Sequence, residues 1–272
     1  MRLQDKAAVV TGAGAGIGEA IALALAREGA RVVVGEISEE AGRSVVGRIE
    51  AAGGQALFVP TDVSRTSEID RLFDRALETF DRVDILVNNA YGSADVTLKG
   101  DGDLLDVDEE TWERVMGTAL RSVFYATKRG VGEMLKTGGG SVVNLSSVNG
   151  LFAYGLVGYS TAKGGIIALT RCASVQYARR GIRMNVICPG TVESATTSAY
   201  LDTVPGLRER TDALYPRGSI GKPEEVASMV VYLASDDASF VNGAVFVVDG
   251  GLTVGPVRFG LAEEVAKRDG EA

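Results

Sequence analysis

Histidine is absent from the 272-residue chain. That gap removes the commonest general base and the commonest metal ligand, so any proton transfer must rest on carboxylate, lysine, tyrosine or thiol groups. Cysteine is scarce as well. Cys172 and Cys188 are the only two, both inside apolar stretches and in no metal-ligand spacing, which reads as buried thiols and no metal site. Basic residues are the minority, 28 against 36 acidic ones, and the formal charge of -8 works against a nucleic-acid partner. No apolar run approaches the ~20 residues of a membrane span. The opening residues, MRLQDK, lack the pattern of a secretory signal, so a soluble cytoplasmic protein with no membrane partner is expected. Linkers, repeats and low-complexity tracts are missing too, which leaves one large domain as the simplest division of a chain that is 46% hydrophobic.

What is present is a regular alternation. Apolar, β-branched runs at 7–11, 31–35, 56–59, 85–88, 141–145, 183–188 and 244–248 read as strands. Helix-period segments fall between them at 17–28, 39–52, 67–80, 109–136, 159–179 and 224–233. Such alternation predicts an α/β architecture, a doubly wound single domain over 1–251 with a seven-stranded parallel sheet flanked by helices. The charged tail, 252–272, is expected to be partly ordered or to sit at a subunit interface. Two long irregular stretches, 91–107 and 189–223, each follow a strand and should wall a ligand crevice at the carboxyl ends of the strands.

The first strand runs straight into TGAGAGIG at residues 11–18, and a helix follows. In that context Gly12 permits a tight turn, Gly16 lets the backbone approach a pyrophosphate, and Gly18 allows close packing beneath the helix N-terminus. Glu36 closes the second strand, eighteen residues beyond Gly18, where a carboxylate accepts hydrogen bonds from the adenosine ribose and repels a 2′-phosphate. No Lys or Arg lies between Thr11 and Gly18 to attract such a phosphate. The expected cofactor is NAD.

Tyr159 and Lys163 stand four residues apart, on one face of a predicted helix, downstream of Ser146 and Ser147. An ammonium beside the phenol favours the phenolate, which would make Tyr159 a usable base near neutral pH.

With these residues in hand the chain resembles the short-chain dehydrogenase/reductase family over nearly its whole length, a Rossmann-like fold. TGAGAGIG looks like the family's T-G-x-x-x-G-x-G, Asp62-Val63 like its adenine-contacting pair, and Asn88-Asn89-Ala90 like its N-N-A. Tyr159 to Lys163 matches Y-x-x-x-K, Pro189-Gly190 the P-G after the sixth strand, and Asp249-Gly250-Gly251 the terminal D-G-G. The resemblance implies a cofactor site made of Gly12, Ala15, Gly16, Ile17, Gly18, Glu36, Asp62, Val63, Asn89, Ala90, Tyr159, Lys163, Pro189, Gly190, Val192 and Ser194. It implies catalysis by Ser147, Tyr159 and Lys163, although the serine lies only twelve residues before the tyrosine, which leaves Ser146 in contention. Three positions depart from the family pattern. Tyr91 follows N-N-A where glycine is usual, Ser194 stands for a threonine, and Ala119 stands where the catalytic tetrad has asparagine, which in the family is thought to hold a water linking the lysine to solvent.

The activity implied is reversible hydride transfer between NAD(H) and a secondary alcohol or ketone of small to medium size. Tyr91, Phe152, Tyr154, Leu156, Thr191, Thr197, Tyr200 and Leu201 are the candidate pocket residues, a mixture suited to a neutral substrate. A 3-oxoacyl reductase, or a non-catalytic NAD-binding regulator or scaffold, is the alternative. Resemblance also implies a homotetramer that pairs the helices predicted over 109–136 and 159–179.

Overall fold

The computed structural model describes residues 1–91, 99–152 and 155–255. Seven parallel strands form one sheet in the order β3-β2-β1-β4-β5-β6-β7: β1 Ala7–Thr11, β2 Arg31–Glu36, β3 Gln55–Pro60, β4 Ile85–Asn88, β5 Gly140–Leu145, β6 Ile182–Pro189 and β7 Val245–Val248. The predicted strands recur within a residue or so, because continuous β-branched runs are what a sheet buried on both faces requires.

One face is covered by α1 (Gly16–Arg27), α2 (Glu39–Ala51) and a late helix (Pro223–Ala234). There Ile21, Leu25, Val45, Ile49, Val226 and Val230 pack on the alternate side chains of β1, β2 and β5. The other face carries α3 (Thr66–Phe80) and two helices introduced below, with Leu72, Phe73, Ala126 and Met134 against Val9, Val33, Leu86 and Val142. Chain order reverses between β1 and β4, and the crevice at such a switch point is where an open α/β sheet holds its ligand.

The single long helix expected over 109–136 is three pieces: α4 (Glu109–Met116), a π-helical turn (Gly117–Arg121) and α5 (Ser122–Met134). A π turn inserts one extra residue into the ladder and loosens it. Hydroxyls assist: Thr118 donates to the carbonyl of Arg114, and Ser122 to that of Thr118. The helix expected from Tyr159 begins two residues earlier, as α6 (Val157–Tyr177). Within 189–223 lie two short helices, α7 (Ala195–Leu201) and α8 (Leu207–Asp212), and α9 is Pro223–Ala234.

A buried polar chain runs beneath the crevice. Asn88 on β4 donates to Thr127 Oγ1 on α5 at 3.0 Å and to Asn144 Oδ1 on β5 at 2.8 Å. Asn144 in turn donates to Thr170 Oγ1 on α6 at 2.8 Å. Among the described residues no helix is long and apolar enough to cross a membrane. Of the tail, Leu252 packs beside the Leu201, Tyr215 and Ile220 cluster, and 256–272 lie outside the described residues.

Candidate active site

The cradle at the end of β1 is built almost wholly from backbone. Gly12 has φ +63° and Gly16 φ +56°, the left-handed region that glycine enters without penalty. Gly18 is pressed so closely on the loop that a Cβ there would run into the carbonyl oxygen of Gly12. Asn89, at the end of β4, donates from Nδ2 to the carbonyls of Thr11 and Gly12 at 3.1 and 2.9 Å, and the amides of Asn89 and Ala90 donate to Thr11 Oγ1. The two strands at the switch point are thereby laced together. Helix α1 starts after Ala15, which has no side chain to cap it, so the amides of its first turn face the crevice with the positive end of the helix dipole.

Glu36 reaches over this loop. Its carboxylate accepts from the amides of Gly14, Ile37 and Ser38 at 3.0, 2.9 and 3.0 Å, and a Cβ on Gly14 would overlap it. An open cradle, an uncapped helix start and a fixed carboxylate at its rim fit a dinucleotide pyrophosphate with an adenosine ribose beside it. Asp62 caps the next turn by accepting from the amide of Ser64 at 2.9 Å, with Val63 half-buried next to it. Across the crevice Pro189 ends β6, and the amide of Gly190 donates to the carbonyl of Val248. Val192 pairs with Gly221. Ser194 caps α7, accepting from the amide of Thr197 and donating to its Oγ1, and its Cβ lies 3.4 Å from where a Cβ of Gly16 would sit. Residues 178 positions apart in sequence, Gly16 and Ser194, thus face each other.

The residues expected to be catalytic lie after β5 and on the first turns of α6. Ser146 and Ser147 are separated in role by the alternation of a strand end. Ser146 is buried and donates to the carbonyl of Lys163 at 2.8 Å, a packing contact. Ser147 donates from Oγ to Asn149 Oδ1 at 3.3 Å and accepts from the amide of Asn149 at 3.2 Å, and its hydroxyl lies near enough to the Tyr159 phenol to favour the ionised form. Lys163 is buried as well, its Nζ donating to the carbonyl of Leu145 at 2.9 Å and lying 5.4 Å from the ring centroids of both Tyr159 and Tyr91.

The electrostatics differ from the expectation of a phenol lowered by Lys163. Burial pushes the Tyr159 phenol well above its usual value, Tyr91 adds to that, and the Ser147 hydroxyl pulls the other way. Lys163 lies against the face of the ring, and burial draws its own pKa down to about 8. Desolvation is the largest influence on both groups, which spacing along a helix does not disclose.

Tyr91, the first departure, is in this centre: its ring meets that of Tyr159 edge-on at 5.9 Å. Ala119 is fully buried in the π turn. Among the other expected pocket residues, Leu201 is instead buried in the small cluster with Tyr215 and Ile220, because α7 turns it inward. Thr191 lines a separate small cavity of about 60 Å³ with Asp249 and Lys222. Phe152 and Tyr200 are exposed, and Tyr154 lies outside the described residues. One residue escaped the sequence reading altogether. Asp101 accepts from the amides of Gly158 and Tyr159 at 2.9 and 2.8 Å; a Gly-Asp-Gly turn 57 residues upstream offers no periodicity that points to this helix.

Comparison with known proteins agrees with this geometry. A family model described as Enoyl-(Acyl carrier protein) reductase matches residues 12–253. The chain is 38% identical over 256 residues to 2-(S)-hydroxypropyl-CoM dehydrogenase 3 of Xanthobacter autotrophicus, covering 93% of this chain and 98% of that one. It is also 38% identical over 257 residues to 3beta-hydroxysteroid dehydrogenase 1 of Eggerthella lenta, covering 93% and 96%. A solved 7 alpha-hydroxysteroid dehydrogenase, complexed with NADH and 7-oxo glycochenodeoxycholic acid, superposes with a TM-score of 0.84 at 31% identity, covering 92% of this chain and 95% of that one. Likeness of this extent, on a sheet of this order, means that the chain belongs to the short-chain dehydrogenase/reductase family and interconverts a secondary alcohol and a ketone with a nicotinamide cofactor.

Proposed function

We propose that the protein is an NAD(H)-dependent oxidoreductase of a neutral, small to medium-sized secondary alcohol or its ketone, with Tyr159 as the proton-transfer group. The observation that carries this reading is the cluster of Tyr159, buried Lys163 5.4 Å from its ring centroid, and Ser147, whose hydroxyl acts on the phenol. The bound cofactor supplies or accepts the hydride. This chain's own residues do the rest. Ser147 orients the substrate oxygen and donates a hydrogen bond to it as charge develops there. Tyr159, held as the neutral phenol by burial, is poised to give its proton to that oxygen when a ketone is reduced and to recover it when an alcohol is oxidised. Lys163 keeps the phenol in place through ring contact and offers the remaining donors of its Nζ to the nicotinamide ribose. Tyr91 shields the pair from water on one side.

Gly12, Ala15, Gly16, Ile17 and Gly18 would hold the pyrophosphate, Asp62 and Val63 the adenine, and Asn89 and Ala90 the inner wall. Pro189, Gly190, Val192 and Ser194 would close over the nicotinamide carboxamide. Glu36 would select NAD, because a carboxylate held against the glycine loop would repel a 2′-phosphate. Names of relatives such as 3beta-hydroxysteroid dehydrogenase favour a ring-borne hydroxyl. An acyl-carrier substrate is the second reading, favoured by the family model's description, and the formal charge of -8 works against docking an acidic carrier.

We place the working form as a cytoplasmic homotetramer of domains spanning 1–251. An apolar groove of about 380 Å³, lined by Met116, Leu120, Phe124 and Leu169, lies along the helices that would pair, and Phe124 is 46% exposed. The test is a panel of cyclic alcohols and ketones assayed with NAD and NADP by nicotinamide absorbance. NAD should be preferred by wild type, and Glu36→Ala should shift the ratio of kcat/KM toward NADP. A wild type that already prefers NADP overturns the role of Glu36.

A further inference from the structure

Helix α6 carries Tyr159 in its first turn, yet it begins with a residue that cannot cap it. Leu156 stands at the N-cap position, where serine, threonine, aspartate or asparagine is preferred because a side-chain oxygen there accepts from the second and third amides of the helix. Those two amides belong to Gly158 and Tyr159. They are satisfied from elsewhere in the chain: Asp101 Oδ1 accepts from Gly158 at 2.9 Å and Oδ2 accepts from Tyr159 at 2.8 Å. Both oxygens of one carboxylate are therefore spent on two successive amides, one of them the catalytic residue's own.

The carboxylate is itself held. Gly100 adopts φ +81°, and a Cβ there would come within 3.0 Å of Thr111 Oγ1 on α4. The Arg114 guanidinium, also on α4, donates to the carbonyl of Lys99 and to Thr111 Oγ1. From the helix side, the bare Gly158 admits the contact: a Cβ there would come within 3.3 Å of Asp101 Oδ1 and 3.4 Å of Val115 Cγ1. The pieces form a closed circuit of α4, the turn at 99–101 and the start of α6.

We propose that Asp101 is a positioning residue for Tyr159, a cap supplied from the loop after β4 that fixes the first turn of α6 and so holds the phenol against Ser147. A serine at position 156 could satisfy one of the same amides locally. A cap supplied from the turn at 99–101 does something that a local one cannot, since it makes the position of the phenol depend on a separate stretch of chain. The carboxylate also meets the positive end of the helix dipole. This inference rests on the proposed role of Tyr159 in proton transfer. Misplacing a reacting group by about 1 Å costs on the order of a hundred-fold in rate, so the effect belongs in kcat.

The experiment compares wild type with Asp101→Ala and Asp101→Asn, well below their melting temperatures. It reads kcat and KM for a substrate found in the panel, the Kd of NADH by fluorescence, and amide hydrogen exchange in peptides covering 99–104 and 155–163. Asp101→Ala should lower kcat about ten- to a hundred-fold, while the Kd of NADH stays within about two-fold. Exchange should quicken in both peptides and not in the central strands. Asp101→Asn keeps one acceptor oxygen and should fall between. A kcat within about two-fold of wild type with only a lowered melting temperature would reduce Asp101 to a structural cap; unchanged exchange would remove even that. Should Asp101→Ala fail to fold, the isosteric Asp101→Asn carries the same readouts. A wild type inert toward every alcohol and ketone defeats the functional reading, and the exchange arm still decides whether Asp101 orders the turn.

Discussion

On the β1 side of the crevice, the contacts at Gly12 and Gly18 are made by backbone atoms and by the neighbouring end of β4, and Gly16 faces the Ser194 side chain. On the β5 side, Ser147, Tyr159 and Lys163 take their places from side chains and carbonyls of separate stretches: Asp101, Tyr91, Asn149 and Leu145. The first wall is a local object, made by consecutive residues whose conformations glycine permits. The second is an assembled one. A backbone-built site tolerates almost no added volume but needs no particular functional group, whereas a side-chain-built site depends on the chemistry of a few atoms and on whatever holds them.

Removing one oxygen from the assembled wall should have the largest consequence. Tyr159→Phe is expected to lower kcat by about 10²- to 10⁴-fold, the usual contribution of a positioned acid or base, with NADH affinity and melting temperature nearly unchanged. Stopped-flow turnover alongside fluorescence titration checks it, and retained activity would remove Tyr159 from the proton transfer. Adding one methyl to the local wall should do the reverse. Gly18→Ala drives a Cβ into the Gly12 carbonyl, so a loss of about 1–3 kcal/mol in stability is expected, as for other overpacked sites, with weaker NADH binding. Wild-type NADH affinity and melting temperature in that variant would mean that the loop is softer than its packing implies.

The smallest effect is expected at Ala119, buried in the π turn. Restoring an amide with Ala119→Asn should raise turnover a few-fold at most, an increment of about 1 kcal/mol or less in the barrier, and reduce the solvent isotope effect, with NADH affinity untouched. A variant that folds normally with rate and isotope effect unmoved would show that proton delivery does not pass this position.

The same contrast explains what was legible beforehand. The glycine loop stood out because Gly12, Gly16 and Gly18 fall within seven consecutive residues between a strand and a helix, Glu36 because it closes the next strand, and the seven strands because their apolar runs are continuous. Tyr159 and Lys163 were visible as an i, i+4 pair, but not the desolvation that sets their protonation, since burial depends on elements packed from afar. The choice between Ser146 and Ser147 turns on which way a strand end points, and the twelve-residue spacing to Tyr159 was silent on it. The π turn was hidden inside an unbroken helical period at 109–136. Asp101 lay in a turn whose partner is 57 residues away.

The buried chain of Thr127, Asn88, Asn144 and Thr170 has a consequence for how the molecule assembles. Asn88 and Asn144 are register partners across β4 and β5. Sliding one strand by a residue would turn its asparagine to the opposite face and strand amides in the core, at about 1–3 kcal/mol for each unsatisfied group. An all-aliphatic core would penalise that slip far less. The chain acts as a parity check on the sheet: only the alignment that sets Asn88 opposite Asn144 closes every one of these hydrogen bonds, so the register that builds the crevice is also the one that leaves no buried amide unpaired.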